Sequence, residues 1–301
     1  MSEPAPLVVC FGEILWDFLP QGLFPGGAPF NVAYHLHRLG LQVHLVSSVG
    51  RDLLGDELVR RLRHWQLEVS GVGRHLGLPT GYVTATLGRT GDARYEITPS
   101  VAWDQIAVLE DTVRAAMSAR AVVFGSLAQR STYNRASLDR LLAVLPAEAQ
   151  RIFDVNLRPP HDDLDLALEL GKRATLLKVN AEEAARLVGD RPGFGREAPQ
   201  ARALAARTGC PLVCVTAGEH GAGILSGDDW HWVEGRPTVV RDTVGAGDAF
   251  LAGLVAGLLL HHEAPGTALH RACRLGEFVA ARDGATPRYR CDARGLPVDA
   301  D

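Results

Sequence analysis

Short apolar runs alternate with longer amphipathic stretches along most of this 301-residue chain. The runs at 7–12 and 121–125 have the length of buried strands, whereas 52–66 carries apolar residues at helical spacing. Parallel strands need a long crossover between them, and a helix is the usual one. The alternation therefore predicts an α/β fold with a mostly parallel central sheet flanked by helices on both faces.

The predicted elements follow in order along the chain. Strands are expected at 7–12, 41–49, 80–87, 94–98, 121–125, 151–155, 175–179, 211–216, 222–225 and 230–233. Helices are expected at 31–39, 52–66, 108–118, 131–145, 162–170, 181–188, 197–207, 246–260 and 267–282. Between 80 and 98 the apolar period shortens to two, and Gly91-Asp92 separates the two runs, which predicts a hairpin. No repeat or low-complexity linker divides the chain, so residues 1–301 are expected to form one domain.

Composition narrows the classes of protein that this chain can represent. A formal net charge of −4 provides no general basic field, so neither nucleic acid nor an anionic membrane is an expected partner. The apolar run at 249–260 is too short to span a bilayer, and no basic segment resembling a signal peptide precedes the first strand. Five scattered cysteines do not predict a disulfide framework or a zinc site. The expected location is the cytoplasm.

The segment from Val239 to Phe250 carries the clearest sign of chemistry. Two apolar residues lead into Gly245-Ala246-Gly247-Asp248, where a long helical pattern begins. Amide N–H groups at a glycine-rich helix N-terminus form an anion site, so a phosphate could be held there without a lysine. Only Lys172 and Lys178 are available, because the other 29 of the 31 basic residues are arginines. Taken alone, Asp248 fits better an acidic residue that only complements the helix dipole.

Other polar groups follow predicted strands. Glu13 and Asp17 follow the first strand, and the glycine-rich segment 25–31 precedes a helix, although it also fits a simple tight turn. Further groups at strand ends are Asp154, Asn156 and Arg158, then Asn180 and Glu183, then Thr216, Gly218 and Gly221. In an open parallel sheet, ligands bind at the carboxyl ends of the strands. These clusters therefore predict one cleft along that edge.

Together these motifs resemble the ribokinase-like (PfkB) carbohydrate kinase family over the whole chain. The segment 26–33, with Arg38-Leu39-Gly40, is similar to the N-terminal signature, and 242–248 to the C-terminal one. Asn-x-x-Glu at 180–183 and Thr-x-Gly at 216–218 lie between them in the family's order. Segments 12–17 and 153–160 look most like the fructokinase branch. The resemblance implies a ribokinase-like fold and ATP-dependent phosphorylation of a sugar, with fructose converted to fructose 6-phosphate.

The resemblance also implies a role for each matching residue. Asp248 is expected to be the general base, and the amides of Gly245, Ala246 and Gly247 to stabilise the transferring phosphoryl group. Binding of the sugar is expected from Asp17, Gly27 and Asn31, and Arg158 is expected to reach the phosphates. The nucleotide side is implied to comprise Asn180, Glu183, Thr216, Gly218 and Gly221, with Glu183 contacting Mg²⁺ through water. Asp242, the Val244 carbonyl and Gly284 resemble a monovalent-cation site, which implies K⁺.

Two larger features are implied as well. Residues 14–28 and 78–100 are expected to form a small β lid that excludes water, and such lids pair subunits in the family, which implies a homodimer. Alternatives remain for the acceptor, namely ribose, 2-keto-3-deoxygluconate or a nucleoside, and a non-catalytic sugar or nucleotide sensor is a different class. The motif at 193–198 fits GxGxxA but follows no strand, and Gly171-Lys172 lacks the rest of a P-loop. His35, His37 and the pair His261-His262 are expected to be structural.

Overall fold

A computed structural model describes residues 4–19, 22–87 and 93–300. The first strands are β1 (Leu7–Phe11), β2 (Leu15–Leu19), β3 (Gly22–Gly26), β4 (Gln42–Gly50), β5 (Val72–His75), β6 (Tyr82–Leu87) and β7 (Ala93–Ile97). The later ones are β8 (Ala121–Gly125), β9 (Gln150–Asp154), β10 (Leu176–Asn180), β11 (Leu212–Thr216), β12 (Gly221–Ser226), β13 (Asp229–Glu234), β14 (Tyr289–Cys291) and β15 (Pro297–Asp299).

The helices fall between these strands, as the alternation predicts. They are α1 (Ala28–Arg38), α2 (Leu53–His64), α3 (Glu110–Ser118), α4 (Thr132–Ala143), α5 (Leu164–Gly171), α6 (Ala181–Val188), α7 (Glu197–Thr208), α8 (Ala246–Leu259) and α9 (Pro265–Ala280). Each predicted helix corresponds to one of them, with ends that differ by a few residues. Strands β2, β3, β5, β14 and β15 have no counterpart among the predicted strands, because they are short and carry little apolar periodicity.

One nine-stranded sheet has the order β13-β12-β11-β10-β9-β8-β1-β4-β5. Its strands pair in parallel from β5 to β11, and β12 and β13 add an antiparallel edge. Side chains alternate across it: Val8 and Cys10 enter one buried core, whereas Val9 and Phe11 enter the other. This alternation buries both faces, so the sheet confirms the predicted α/β class.

The segments 14–28 and 78–100 contribute to a separate four-stranded sheet of order β3-β2-β6-β7. β6 and β7 pair antiparallel, which confirms the predicted hairpin, and β2 joins β6 in parallel through Trp16 opposite Tyr82. The predicted turn Gly91-Asp92 lies outside the described residues. That this sheet acts as a lid stays a prediction.

Helix α1 begins three residues earlier than the sequence predicts. Gly27 precedes its first residue, and Pro29 lies in the first turn, where a missing N–H costs no hydrogen bond. Asn31 therefore lies inside the helix and does not cap it, so its side chain is free to reach a neighbouring helix.

Two further predictions concern the whole chain. No helix in the described ranges combines the length and apolar character needed to cross a membrane. All five cysteines are free, and four of them are buried.

Candidate active site

The predicted site residues gather at the carboxyl edge of the large sheet. β1, β9, β10 and β11 run in parallel, so their ends meet at one edge. The register places Lys178 beside Asp154 and Asn180 beside Thr216. α8 begins close to this edge, because Gly247 in its first turn approaches the side chain of Lys178.

Asp248 is buried in the first turn of α8. The Asn31 amide Nδ2 donates a hydrogen bond of 2.8 Å to its Oδ2 atom. Burial, and then the negative charge of Asp154, raises the pKa of Asp248 to about 6, although Lys178 and Asn31 oppose that rise. A carboxyl group with a pKa near neutrality is suited to accept a proton during a reaction.

Three more groups surround Asp248 and form what we call the acceptor cluster: Glu13, Asp17, Asn31 and Asp248. Glu13 is buried, its Oε1 accepts a 3.2 Å hydrogen bond from the Ala28 amide, and its Oε2 has no partner within the described structure. The Oδ1 atom of Asn31 is likewise buried without a partner there. These unpaired acceptors call for a ligand that brings hydrogen-bond donors.

Burial also shifts the two remaining carboxyl groups of the acceptor cluster. It raises the pKa of Glu13 to about 7, against two backbone hydrogen bonds that lower it. It raises the pKa of Asp17 to about 6, with the charge of Asp248 adding to the rise and that of Arg158 opposing it. The three carboxyl groups lie close enough for their charges to interact. A ligand that brings neutral hydroxyl groups therefore suits this cluster better than a ligand that brings a further negative charge.

Two glycines bring the chain close to the acceptor cluster. Gly27 has φ of 110°, and a Cβ atom there would stand 2.4 Å from the Glu13 carbonyl oxygen. A Cβ on Gly26 would stand 2.0 Å from the Oδ2 atom of Asp17. No side chain fits at either position, so the glycine pair 26–27 lets the loop pack directly on Glu13 and Asp17.

The N-terminus of α8 offers free backbone donors. Gly245 caps the helix with φ of 75°, and no hydrogen bond within the described ranges uses the amides of Gly245 or Gly247. The Ala246 amide donates to the Thr243 carbonyl at 3.3 Å, so this third amide of the predicted anion site is already engaged. Two free amides and the helix dipole suit an anionic ligand.

Lys178 is the site residue that the sequence did not identify. It lies within β10, as expected, but its Nζ atom reaches the edge, where a Cβ on Gly247 would stand 3.3 Å from it. It pairs with Asp154 at 3.0 and 3.1 Å, and both side chains are buried. Burial alone would lower the pKa of Lys178, but the charges of Asp154, Glu183 and Asp248 outweigh it and raise that pKa. A permanent cation therefore lies against the anion site.

The Asn180–Glu183 motif forms the start of α6. Asn180 Oδ1 accepts from the Glu183 amide at 2.8 Å, and Glu183 Oε2 accepts from the Asn180 amide at 2.9 Å, which is a capping box. Glu183 Oε1 also accepts from the Leu157 amide at 2.7 Å. The carboxylate thus fixes two strand ends to each other, and a water-mediated contact with Mg²⁺ stays a prediction.

The alternating positions of Asp154, Asn156 and Arg158 in the sequence favour one side of an extended segment, but Asn156 has φ of 41° and interrupts such a run. Asp154 lies at the end of β9, where the strand register places it beside Lys178. Arg158 is exposed and donates to the Leu157 carbonyl at 3.0 Å. The charge of Arg158 nevertheless acts on Asp17 and Asp248, which places it near the acceptor cluster.

The predicted nucleotide and cation residues lie at strand ends and in the loops that follow them. Thr216 ends β11, Gly218 follows it, and Gly221 starts β12 where a Cβ would stand 2.0 Å from the Val233 carbonyl oxygen. Asp242 accepts hydrogen bonds from the Val244 amide at 2.9 Å and the Gly284 amide at 3.1 Å. Asp242 therefore joins the two segments of the predicted cation site, and binding of a nucleotide or K⁺ there stays a prediction.

Comparisons with known proteins agree with this architecture. The family model of the pfkB family carbohydrate kinases matches residues 20–288. A fructokinase from Klebsiella pneumoniae is 30% identical over 91% of this chain and 93% of its own length. The fold is similar to that of a fructokinase double mutant from Vibrio cholerae with bound fructose, ADP and potassium ion (TM-score 0.81, 24% identity, 95% and 96% of the two chains). It is equally similar to a fructokinase from Xylella fastidiosa with bound ATP (TM-score 0.81, 22% identity, 97% and 95%). The chain belongs to the pfkB family of carbohydrate kinases.

Proposed function

We propose that the protein is a fructokinase, which transfers the γ-phosphoryl group of ATP to fructose and yields fructose 6-phosphate and ADP. The observation that carries this proposal is Asp248, a buried carboxyl group in the same helical turn as the free Gly247 amide. A proton acceptor therefore lies beside amide groups that can donate hydrogen bonds to a phosphate, and phosphoryl transfer to a hydroxyl requires both.

The acceptor cluster favours a neutral polyol. The unpaired oxygens of Glu13 and Asn31 need donors, which sugar hydroxyl groups supply. A sugar phosphate would bring two more negative charges to a pocket that already holds three carboxyl groups, and Arg158 is the one exposed cation that we place beside them. The fructose named in the similar Vibrio cholerae structure supports the choice of a ketose.

The phosphate side fits ATP with a divalent cation. The Gly245 and Gly247 amides and Lys178 offer donors to phosphate oxygens, and the loops at Thr216, Gly218 and Gly221 are the proposed nucleotide contacts. Mg²⁺, when bound, would neutralise phosphate charge, and Glu183 is the proposed residue to hold its hydration shell, with Asn180 ordering the same helix start. Asp242, Val244 and Gly284 are the proposed K⁺ site, which the potassium ion named in the Vibrio cholerae structure supports.

In the proposed step, the sugar hydroxyl oxygen forms a bond to the γ-phosphorus while the bond to the bridging oxygen of ADP breaks. Asp248 takes the hydroxyl proton, and ADP leaves with the electron pair of the broken bond. The amides of Gly245 and Gly247, with Ala246 between them, stabilise the charge on the transferring group because they are fixed in place before the reaction.

Two features of the separate sheet complete the proposal. β2, β3, β6 and β7 form the lid, which excludes water that would otherwise accept the phosphoryl group. Phe18 is 38% exposed on the face of this sheet opposite to Asp17, and it supports a second copy of the chain covering that face in a homodimer. Light scattering of the wild type against a Phe18→Ser variant tests this, since the variant is expected to be monomeric.

An acceptor panel tests the proposed activity. ADP release is measured in a coupled assay with fructose, ribose, 2-keto-3-deoxygluconate, a nucleoside and fructose 6-phosphate, at equal ATP and Mg²⁺. The highest kcat/KM is expected for fructose. A higher kcat/KM for another acceptor refutes the fructokinase assignment. If the protein binds sugar but forms no ADP from ATP with any acceptor, it is a sensor.

A further inference from the structure

His35 is fully buried in the last turn of α1, and none of the roles proposed above uses it. Its Nε2 atom lies 2.9 Å from the Ala285 carbonyl oxygen, and its Nδ1 atom lies 3.0 Å from the Tyr289 hydroxyl. A carbonyl oxygen only accepts, so Nε2 carries the hydrogen and Nδ1 accepts from Tyr289. Burial lowers the pKa of His35 to about 4, which agrees with a neutral ring holding one hydrogen.

The carbonyl that His35 holds belongs to a segment that touches the anion site. A Cβ on Gly245 would stand 2.4 Å from the Ala285 Cβ and 3.1 Å from its carbonyl oxygen. Asp242 accepts from the amides of Val244 and Gly284 and so ties the two segments together. We call residues 242–245 and 284–287 the loop pair. Because Gly245 caps α8, the position of the loop pair sets the direction of the free amides.

The same face of α1 also reaches the proposed base. Asn31, one helical turn before His35, donates to Asp248. Tyr34, next to His35, donates through its hydroxyl to the Pro287 carbonyl at 3.0 Å. One rigid helix therefore contacts both the general base and the loop pair that shapes the anion site.

We propose that His35 is a positioning residue that fixes the loop pair, and through it the Gly245 and Gly247 amides, against the helix that carries Asn31. The consequence for catalysis rests on the proposed function, in which these amides receive the phosphoryl group. Preorganised donors stabilise a transition state only while their direction is fixed. Loss of the Ala285 hydrogen bond should thus lower kcat and leave the KM for sugar almost unchanged.

Two variants of similar polarity distinguish the two hydrogen bonds of His35, because each can keep only one of them. In His35→Gln the amide nitrogen reaches the position of Nε2 and can still donate to Ala285, whereas in His35→Asn the shorter side chain reaches only toward Tyr289. His37→Asn, in the same helix and with a side chain that makes no hydrogen bond to the described residues, controls for the loss of helix propensity. Each variant is measured for kcat, for the KM of sugar and of ATP, for Tm, and for amide hydrogen exchange at 242–247.

We expect a kcat loss on the order of tenfold in His35→Asn, a change under about threefold in His35→Gln, and none in His37→Asn. Exchange at 242–247 should accelerate in His35→Asn alone. Unchanged exchange and kcat in His35→Asn refute the proposal, and so do equal losses of kcat and Tm in His35→Asn and His35→Gln, which indicate general packing. If the wild type phosphorylates no acceptor, the proposed kinase function fails. Faster amide hydrogen exchange at 242–247 in His35→Asn, but not in His35→Gln, would still support the positioning role of His35.

Discussion

The two halves of the candidate site use opposite chemistry. The acceptor cluster consists of the buried carboxyl groups of Glu13 and Asp248, the partly buried carboxyl group of Asp17 and the buried amide of Asn31. Glu13 and Asn31 each have one oxygen without a partner among the described residues. The phosphate side consists of the free amides of Gly245 and Gly247 and the buried ammonium of Lys178. One half therefore attracts donors and repels anions, and the other does the reverse. In the proposed function, this difference orients a neutral sugar toward one half and a charged nucleotide toward the other.

Asp248 belongs to the acceptor cluster and adjoins Gly247 of the phosphate side in the first turn of α8, so its substitution should have the largest effect. Asp248→Ala removes the proton acceptor and is expected to lower kcat by roughly 10²–10⁴-fold, while ATP binding remains nearly intact because the amides stay in place. Steady-state kinetics with nucleotide titration measure both quantities. Activity equal to the wild type would exclude Asp248 as the base.

Lys178 should dominate the phosphate side. Lys178→Met is expected to lower kcat by roughly 10²-fold, as loss of a preorganised donor to a transition state does. The substitution also leaves Asp154 buried and unpaired, which can cost about 3–5 kcal/mol of stability. The double variant Lys178→Met/Asp154→Asn removes that penalty. It is expected to recover Tm but not kcat, and recovery of both would show that Lys178 acts only through stability.

Asp17 tests the acceptor side alone. A carboxylate that accepts from sugar hydroxyl groups contributes about 1.5–3 kcal/mol, so Asp17→Asn should raise the KM for sugar roughly 10- to 100-fold. The KM for ATP should stay within about twofold, because the phosphate side keeps its donors. An equal rise in both constants would show that the two halves are not separate.

The loss of activity at acid pH is expected to follow from protonation of Asp248, the proposed base. Asp248 acts as a base only when deprotonated, and burial raises its pKa to about 6. Protonation therefore removes activity as the pH falls through about 6, and kcat/KM at pH 5 should be about one tenth of its value at pH 7. A profile flat down to pH 5 would contradict this assignment.

Arg158 should give the smallest effect. Its guanidinium is exposed, and exposed charge interactions contribute about 1 kcal/mol or less, so Arg158→Gln should lower kcat/KM by no more than about fivefold. The kcat/KM of Arg158→Gln is measured in the same assay as that of Lys178→Met, so that the two losses can be compared. A larger loss in Arg158→Gln than in Lys178→Met would reverse the assignment of the main cation.

The difference between these two cations shows where inference from the sequence fails. Arg158 follows a strand end, where side chains are expected to reach a ligand, and Lys178 lies within a strand, where they are expected to be covered. The positive φ of Asn156 breaks the extended run and leaves Arg158 exposed. β9 and β10 place Asp154 beside Lys178, so that the ammonium is paired and still reaches Gly247. Neither result follows from residue type or spacing.

The sequence by itself determined the α/β class, the hairpin and the motifs that carry the family signatures, because periodicity and glycine placement are local properties of the chain. It also identified Asp248 and Asn31, although not that one donates to the other. The tertiary structure decided the pairing of Lys178 with Asp154 and the contact of His35 with Ala285, and it left the amides of Gly245 and Gly247 without a partner among the described residues. The two contacts join residues 24 and 250 positions apart, and they depend on strand register and helix packing, which local pattern does not encode.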